Sequence, residues 1–188
     1  MRWCSTRGRT SSNTSSTPER VGGLVDDCVF CRIVDGVEPA RIVHSDQETV
    51  AFLPLTPAVA GHVLVIPRRH VRDAWELDEP TSFALTRAVR EVMHAVRTAF
   101  EPEGMNIITS VGSVATQSVM HVHVHIVPRN ENDRMGRIWP PPRSSTSEHL
   151  DQLAERLRVA LRSSAENDGE QHGEVRDPDP AVEERESD

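Results

Sequence analysis

The sequence predicts an α+β fold: an antiparallel five-stranded sheet carrying one main helix and a C-terminal helix, with polar termini. Short β-branched runs lie at 41–44, 49–53, 62–66 and 106–110, each bounded by turn residues. From Asp78 onward apolar residues instead recur at spacings of three and four, the period of an amphipathic helix. Residues 121–126 alternate histidine with valine or isoleucine, the period of a strand.

The elements follow in order. Val29, Phe30, Ile33 and Val34, around the pair Cys28 and Cys31, read as a short turn region. Strands 41–44 and 49–53 flank the polar turn Ser45-Asp-Gln-Glu48, and the strand 62–66 completes a meander that Pro67 ends. The main helix has Asp78 as its N-cap and Pro80 in its first turn, with Leu85, Val89, Val92, Met93, Val96 and Phe100 on one face. Glu101-Pro-Glu-Gly104 stops it, 106–110 forms the fourth strand, and 111–116 is a glycine-containing loop before the histidine strand. Leu150, Leu153, Leu157 and Leu161 mark the last amphipathic helix.

Composition places one folded domain between polar ends. The hydrophobic fraction is only 37% because residues 1–24, a Ser/Thr/Arg-rich leader, and residues 162–188, an acidic tail, contribute little to a core; both are expected to be disordered. The domain spans 25–161. Ten acids against three arginines in 162–188 nearly account for the whole chain's net charge of −8, which leaves no basic stripe on the folded part. Nucleic-acid binding through phosphates is therefore not expected, and no apolar run is long enough to span a membrane. The leader lacks an apolar signal core and is read as a plain extension or an early start, so the expected location is cytoplasmic.

His121, His123 and His125 occupy alternate positions, so their imidazoles project from one face while Val122, Val124 and Ile126 pack on the other. Imidazole can attack, exchange protons or bind metal near neutral pH. Three in register point first to a nucleophile or acid–base site, second to a metal site, and least to an incidental run of surface histidines.

The motif His121-Val-His-Val-His-Ile-Val127, with the Gln117-Ser-Val lead-in and the upstream Gly61-His-Val-Leu-Val-Ile-Pro-Arg-Arg-His70 segment, strongly resembles the histidine triad (HIT) superfamily of nucleotide hydrolases and transferases. The resemblance runs from about Cys28 to about Pro140 and implies the HIT-like fold. Cys28 and Cys31 could form a redox pair or half of a zinc site; a thioredoxin-like pair would open a helix after a strand, which the local sequence does not suggest, so zinc is favoured. In zinc-containing members of the family the matching ligands are Cys28, Cys31, His70 and His121, and four protein ligands make the ion structural.

The resemblance further implies His123 as a nucleophile toward the α-phosphorus of a nucleotide, forming a nucleotidyl-histidine. His125, Gln117, Ser118 and Ser110 are candidate phosphate donors, His62 supports the triad by hydrogen bonding, and Ser118 is placed to pass a proton to the leaving atom. The chain departs from the family pattern in three places. Pro54 stands where an acidic residue usually holds the ribose, Ser110 where asparagine is common, and Thr116 where glycine precedes the glutamine. Two alternatives to hydrolysis remain: a zinc-stabilised nucleotide-binding or protein-interaction module, and a nucleotidyl transferase, in which the third triad position is usually glutamine. The resemblance also implies a two-fold homodimer.

Overall fold

The computed structural model describes residues 28–171. The expected leader and the end of the acidic tail lie outside the described residues. Two compact units divide at Gly136 and Arg137. No described helix is long and apolar enough to cross a membrane.

The first unit holds α1 (Val29–Val34), β1 (Arg41–Ser45), β2 (Thr49–Leu53), β3 (Val63–Pro67), α2 (Glu79–Phe100), β4 (Gly104–Ile108) and β5 (Val124–Arg129). All five strands pair antiparallel in the order β1-β2-β3-β5-β4. The meander forms as the sequence predicts, and β5 then inserts between β3 and β4. That insertion carries the histidines from the end of the chain's sheet to its middle.

The alternation of each strand sorts its side chains between two cores. On one face Ala51, Val63, Val65, Val124 and Ile126 meet Leu85, Ala88, Val92 and Val96 of α2. On the other, Val50, Phe52, Leu64 and Ile66 meet Cys28, Phe30, Cys31 and Ile33 from α1. Leu64 is the register partner of His125, so the histidine face is the α1 face. Asp78 caps α2 through its carboxylate, which accepts the Thr81 N–H at 2.9 Å. Glu101, left-handed at φ 46°, closes the helix with its N–H on the Arg97 carbonyl. Phe100 does not join the core face; its ring lies over Gly61, whose φ of +82° and lack of a Cβ permit the approach.

Several expectations are corrected. The segment after Cys28 is a six-residue helix, not a turn region, with Cys28 at its N-cap. Phe30, Cys31 and Ile33 are its buried face, a spacing that a single helical turn and a half satisfies. β4 begins at Gly104 and ends at Ile108, two residues earlier at each end than expected, because Gly104 already pairs with Arg129. The histidine strand starts only at Val124: Val122 N–H donates to the Val71 carbonyl at 2.7 Å, so the backbone at 121–123 bonds to the segment following β3 before the ladder begins.

The second unit contains α3 (Ser147–Gln171). It extends ten residues past the expected end at 161, so the first part of the supposed tail is helical.

Candidate functional site

Residues 117–125 and the α1 face of the sheet bring together most of the side chains singled out by sequence. The three imidazoles share one face as alternation requires. They do not form an exposed ridge, however: His121 is fully buried, His123 is buried and His125 is half-buried. His123 and His125 stack edge-on with ring centroids 5.0 Å apart, and the His121 ring meets that of His70 at the same separation. Phe30, which projects from α1 between the two cysteines, lies edge-on against His121 at 5.9 Å and His123 at 5.3 Å.

At one end of the row, Cys28, Cys31, His70 and His121 present ligand atoms within 4.8 Å of one another. Cys31 Sγ is 3.2 Å from His70 Nδ1 and 3.5 Å from His121 Nδ1, and Cys28 Sγ is 3.6 Å from His121 Nδ1. His121 Nε2–H donates to the Pro67 carbonyl at 2.9 Å, which leaves the Nδ1 lone pair facing the thiols. Burial, with the neighbouring His70 and His123, pushes the His121 pKa down to about 4, so the ring is neutral at physiological pH. Two sulfurs and two imidazole nitrogens, one held in its metal-binding tautomer, are a donor set that fits a tetrahedral metal ion.

At the other end the tautomers are set by a chain of donors. Ala58 N–H donates to His62 Nδ1 at 3.1 Å, so the proton of neutral His62 sits on Nε2. That Nε2–H donates to His125 Nδ1 at 2.9 Å, which places the His125 proton on its outward Nε2. Burial lowers the pKa of both rings, that of His125 to about 4 with further contributions from His123 and His62. Between them His123 Nδ1–H donates to the His121 carbonyl at 2.8 Å, leaving Nε2 with a free lone pair. One imidazole thus offers a lone pair, and its neighbour offers an N–H.

The remaining candidates are placed differently. Gln117 is buried, but its Oε1 accepts the Gly112 N–H at 2.8 Å and its Nε2 donates to the Arg72 and Val119 carbonyls. Its amide braces the loop in this structure. Ser118 is exposed and Ser110 half-buried, and neither hydrogen-bonds to an imidazole. Pro54 follows β2 directly and has no side-chain group that could bond a hydroxyl. Thr116 adopts φ 71°, a left-handed conformation unusual for a β-branched residue, in the turn that delivers Gln117.

Three contributors escaped the sequence reading. Phe30 reads as an ordinary core residue, and only the path of α1 puts it against two histidines. Thr109 donates its hydroxyl to the His123 carbonyl at 3.0 Å and pins the backbone there. Ala58 acts through its amide, which no side-chain pattern can report.

The HIT domain family model matches residues 35–132. The chain belongs to the HIT domain family. The adenosine 5'-monophosphoramidase of Schizosaccharomyces pombe is 36% identical over 114 residues, 60% of this chain and 83% of that protein. A solved structure from Streptococcus mutans shares the HIT fold with a TM-score of 0.71 at 35% identity, covering 80% of this chain and 97% of that one. A zinc-bound histidine triad family protein from Mycobacterium smegmatis has a TM-score of 0.56 at 30% identity, covering 74% of this chain and 99% of that one. The HIT match begins after Cys31, and Cys28 and Cys31 join the domain through their approach to His70 and His121.

Proposed function

We propose that this HIT protein is a nucleotide hydrolase acting at the α-phosphate of nucleoside phosphoramidates, dinucleoside polyphosphates or related nucleotidyl esters, with His123 as nucleophile. The observation that carries the reading is the tautomer pattern: His123 Nδ1–H is committed to the His121 carbonyl, so the Nε2 lone pair is available, while the Ala58–His62 relay leaves His125 Nε2–H as a donor beside it. The His123 Nε2 lone pair attacks phosphorus in line; the P–N bond forms as the bond to the leaving group breaks, and the leaving group takes the bonding pair and a proton. Positive charge developing on His123 is supported by its Nδ1–H bond to the carbonyl, and His125 Nε2–H stabilises a phosphate oxygen. Water then attacks phosphorus, the P–N bond breaks with its electron pair returning to His123 Nε2, the proton that water releases restores the donor spent on the leaving group, and nucleoside monophosphate leaves. Ser118, exposed in the loop before the triad, is retained as the proton donor to the leaving atom.

In the same reading Cys28, Cys31, His70 and His121 would hold a structural Zn2+ and so tie α1 to the segment that follows β3 and to the triad. The homodimer belongs to this reading through the family resemblance, and a cytoplasmic location is proposed with it. The test is product analysis with an adenosine phosphoramidate and a diadenosine polyphosphate, alongside intact-protein mass spectrometry. Wild type releases AMP and transiently gains the mass of a nucleotidyl group, and His123→Ala does neither, with turnover reduced by on the order of a thousandfold or more. Nucleotide binding without release by wild type refutes hydrolysis and supports the binding-module alternative.

A further inference from the structure

The histidine face of the sheet carries a further polar side chain that the proposed chemistry does not use. Alternation puts Asn106 and Ile108 of β4 on the same face as His125, with Ile108 the register partner of His125 and Asn106 that of Val127. On the other side of β5, Leu64 is the partner of His125, so His62, two residues earlier, falls beside Val127. His62 and Asn106 therefore hold equivalent diagonal positions about His125, with backbones about 7–8 Å away. The long imidazole of His62 closes its diagonal, with Nε2–H on His125 Nδ1 at 2.9 Å. The shorter carboxamide of Asn106 leaves its own diagonal open on the β4 flank of the ring. Asn106 is nonetheless held in one orientation. Arg129 Nη1–H donates to its Oδ1 at 2.6 Å, and a guanidinium can only donate, so the amide oxygen faces Arg129 and the NH2 faces away. Arg129 is gripped in turn by Asp133, through Nε and through Nη2 at 3.2 Å, and by the Gly136 carbonyl at 3.0 Å. The turn fixes Asp133, whose carboxylate accepts the Asn130 N–H at 3.2 Å and the Met135 N–H at 2.9 Å. The charges behind Asn106 cancel, and its Nδ2 has no hydrogen-bond partner among the described residues. A half-buried amide with a free N–H pair and two layers of fixed geometry behind it has the construction of a binding group.

We infer that Asn106 binds the leaving group and selects nucleotidyl anhydrides, in which the departing part is a phosphate or another oxyacid. The inference rests on the hydrolase reading above and names its substrate class. In-line displacement sets nucleophile and leaving group on opposite sides of phosphorus. Along β5, His123 lies on one side of His125 and the row of Val127 and Asn106 on the other. With the α-phosphate on His125 Nε2–H, a group displaced by His123 projects toward Asn106. The bond from the α-phosphorus to the bridging oxygen breaks, the oxyacid takes the electron pair and the proton, and Asn106 Nδ2–H donates to another of its oxygens. Ammonia, the leaving group of an unsubstituted phosphoramidate, carries no such oxygen.

The test compares kcat/KM for a diadenosine polyphosphate with that for unsubstituted adenosine phosphoramidate, in full-length, metal-loaded wild type, Asn106→Ala and Asn106→Asp. Asn106→Asp keeps the shape and an oxygen for Arg129, but sets a carboxylate where the amide donated. The ratio of the two substrates should fall about tenfold in Asn106→Ala and on the order of a hundredfold in Asn106→Asp, while the melting temperature of Asn106→Asp stays at or above that of the wild type. A ratio that Asn106→Asp preserves would make Asn106 a brace for Arg129 and nothing more. Equal losses on both substrates would mean a general disturbance of the site, and either result overturns the inference. In the His123→Ala background the same substitutions are read by calorimetry, as the affinity for the diadenosine polyphosphate relative to AMP, and this ratio should fall likewise. Failure of the hydrolase reading alone then shows as no AMP release by wild type with the binding ratio still shifted. A binding ratio that neither variant moves removes Asn106 from the site.

Discussion

Replacing His125 by glutamine separates the tautomer relay from acid titration. Glutamine can accept the His62 Nε2–H through Oε1 and still present an N–H outward, so it reproduces the neutral hydrogen-bond pattern without an ionisable group. In the wild type His125 titrates at about 4 when folded against an ordinary 6.5, chiefly because the ring is buried. Between those values the unfolded chain binds a proton that the folded chain refuses. The stability due to neutral His125 is therefore fully present above pH 6.5 and is lost as pH falls toward 4. Integrating the two titrations from pH 7 to pH 5 gives a loss of about 2 kcal/mol, which partial exposure of the ring reduces to about 1. Urea unfolding at the two pH values should show a wild-type midpoint that falls by roughly 0.5 M more than that of His125→Gln, at equal slope. Both proteins keep Cys28, Cys31, His70 and His121, so acid release of metal cancels in the comparison. Parallel losses in the two proteins would refute the assignment of a buried, neutral His125.

Other perturbations test other parts of the molecule. Cys31→Ser should lower the metal content measured by atomic emission and reduce the melting temperature, and chelation of the wild type should give the same fall, because metal binding in a small site is folding free energy. Thr116→Gly should raise stability by about 1 kcal/mol in urea titration, since relief of the left-handed strain at φ 71° outweighs glycine's extra freedom when unfolded. Gly61→Ala should do the opposite by about 2 kcal/mol, because a Cβ would sit 2.8 Å from the Phe100 ring on a backbone at φ +82°.

The alternation of His121, His123 and His125 with valine determined, from sequence alone, that three imidazoles share one face, because strand periodicity is a local property of the backbone. Helical spacing likewise located α2, and Asp78 its cap, since both signals lie within a few residues of the structure they specify. The resemblance to the HIT family added the grouping of Cys28, Cys31, His70 and His121, which the structure brings within ligand distance. What the sequence could not show is decided by contacts between distant segments. The backbone of Val71 holds the triad lead-in out of the sheet, and the α1 path lays Phe30 against two of its rings. Gln117 bonds to the Gly112 amide and the Arg72 carbonyl, partners that exist only once the loop is folded. The proton positions on the histidines belong to the same class: an imidazole's two tautomers differ little in water, and it is the Ala58 amide, the His62 ring and the His121 carbonyl that choose between them.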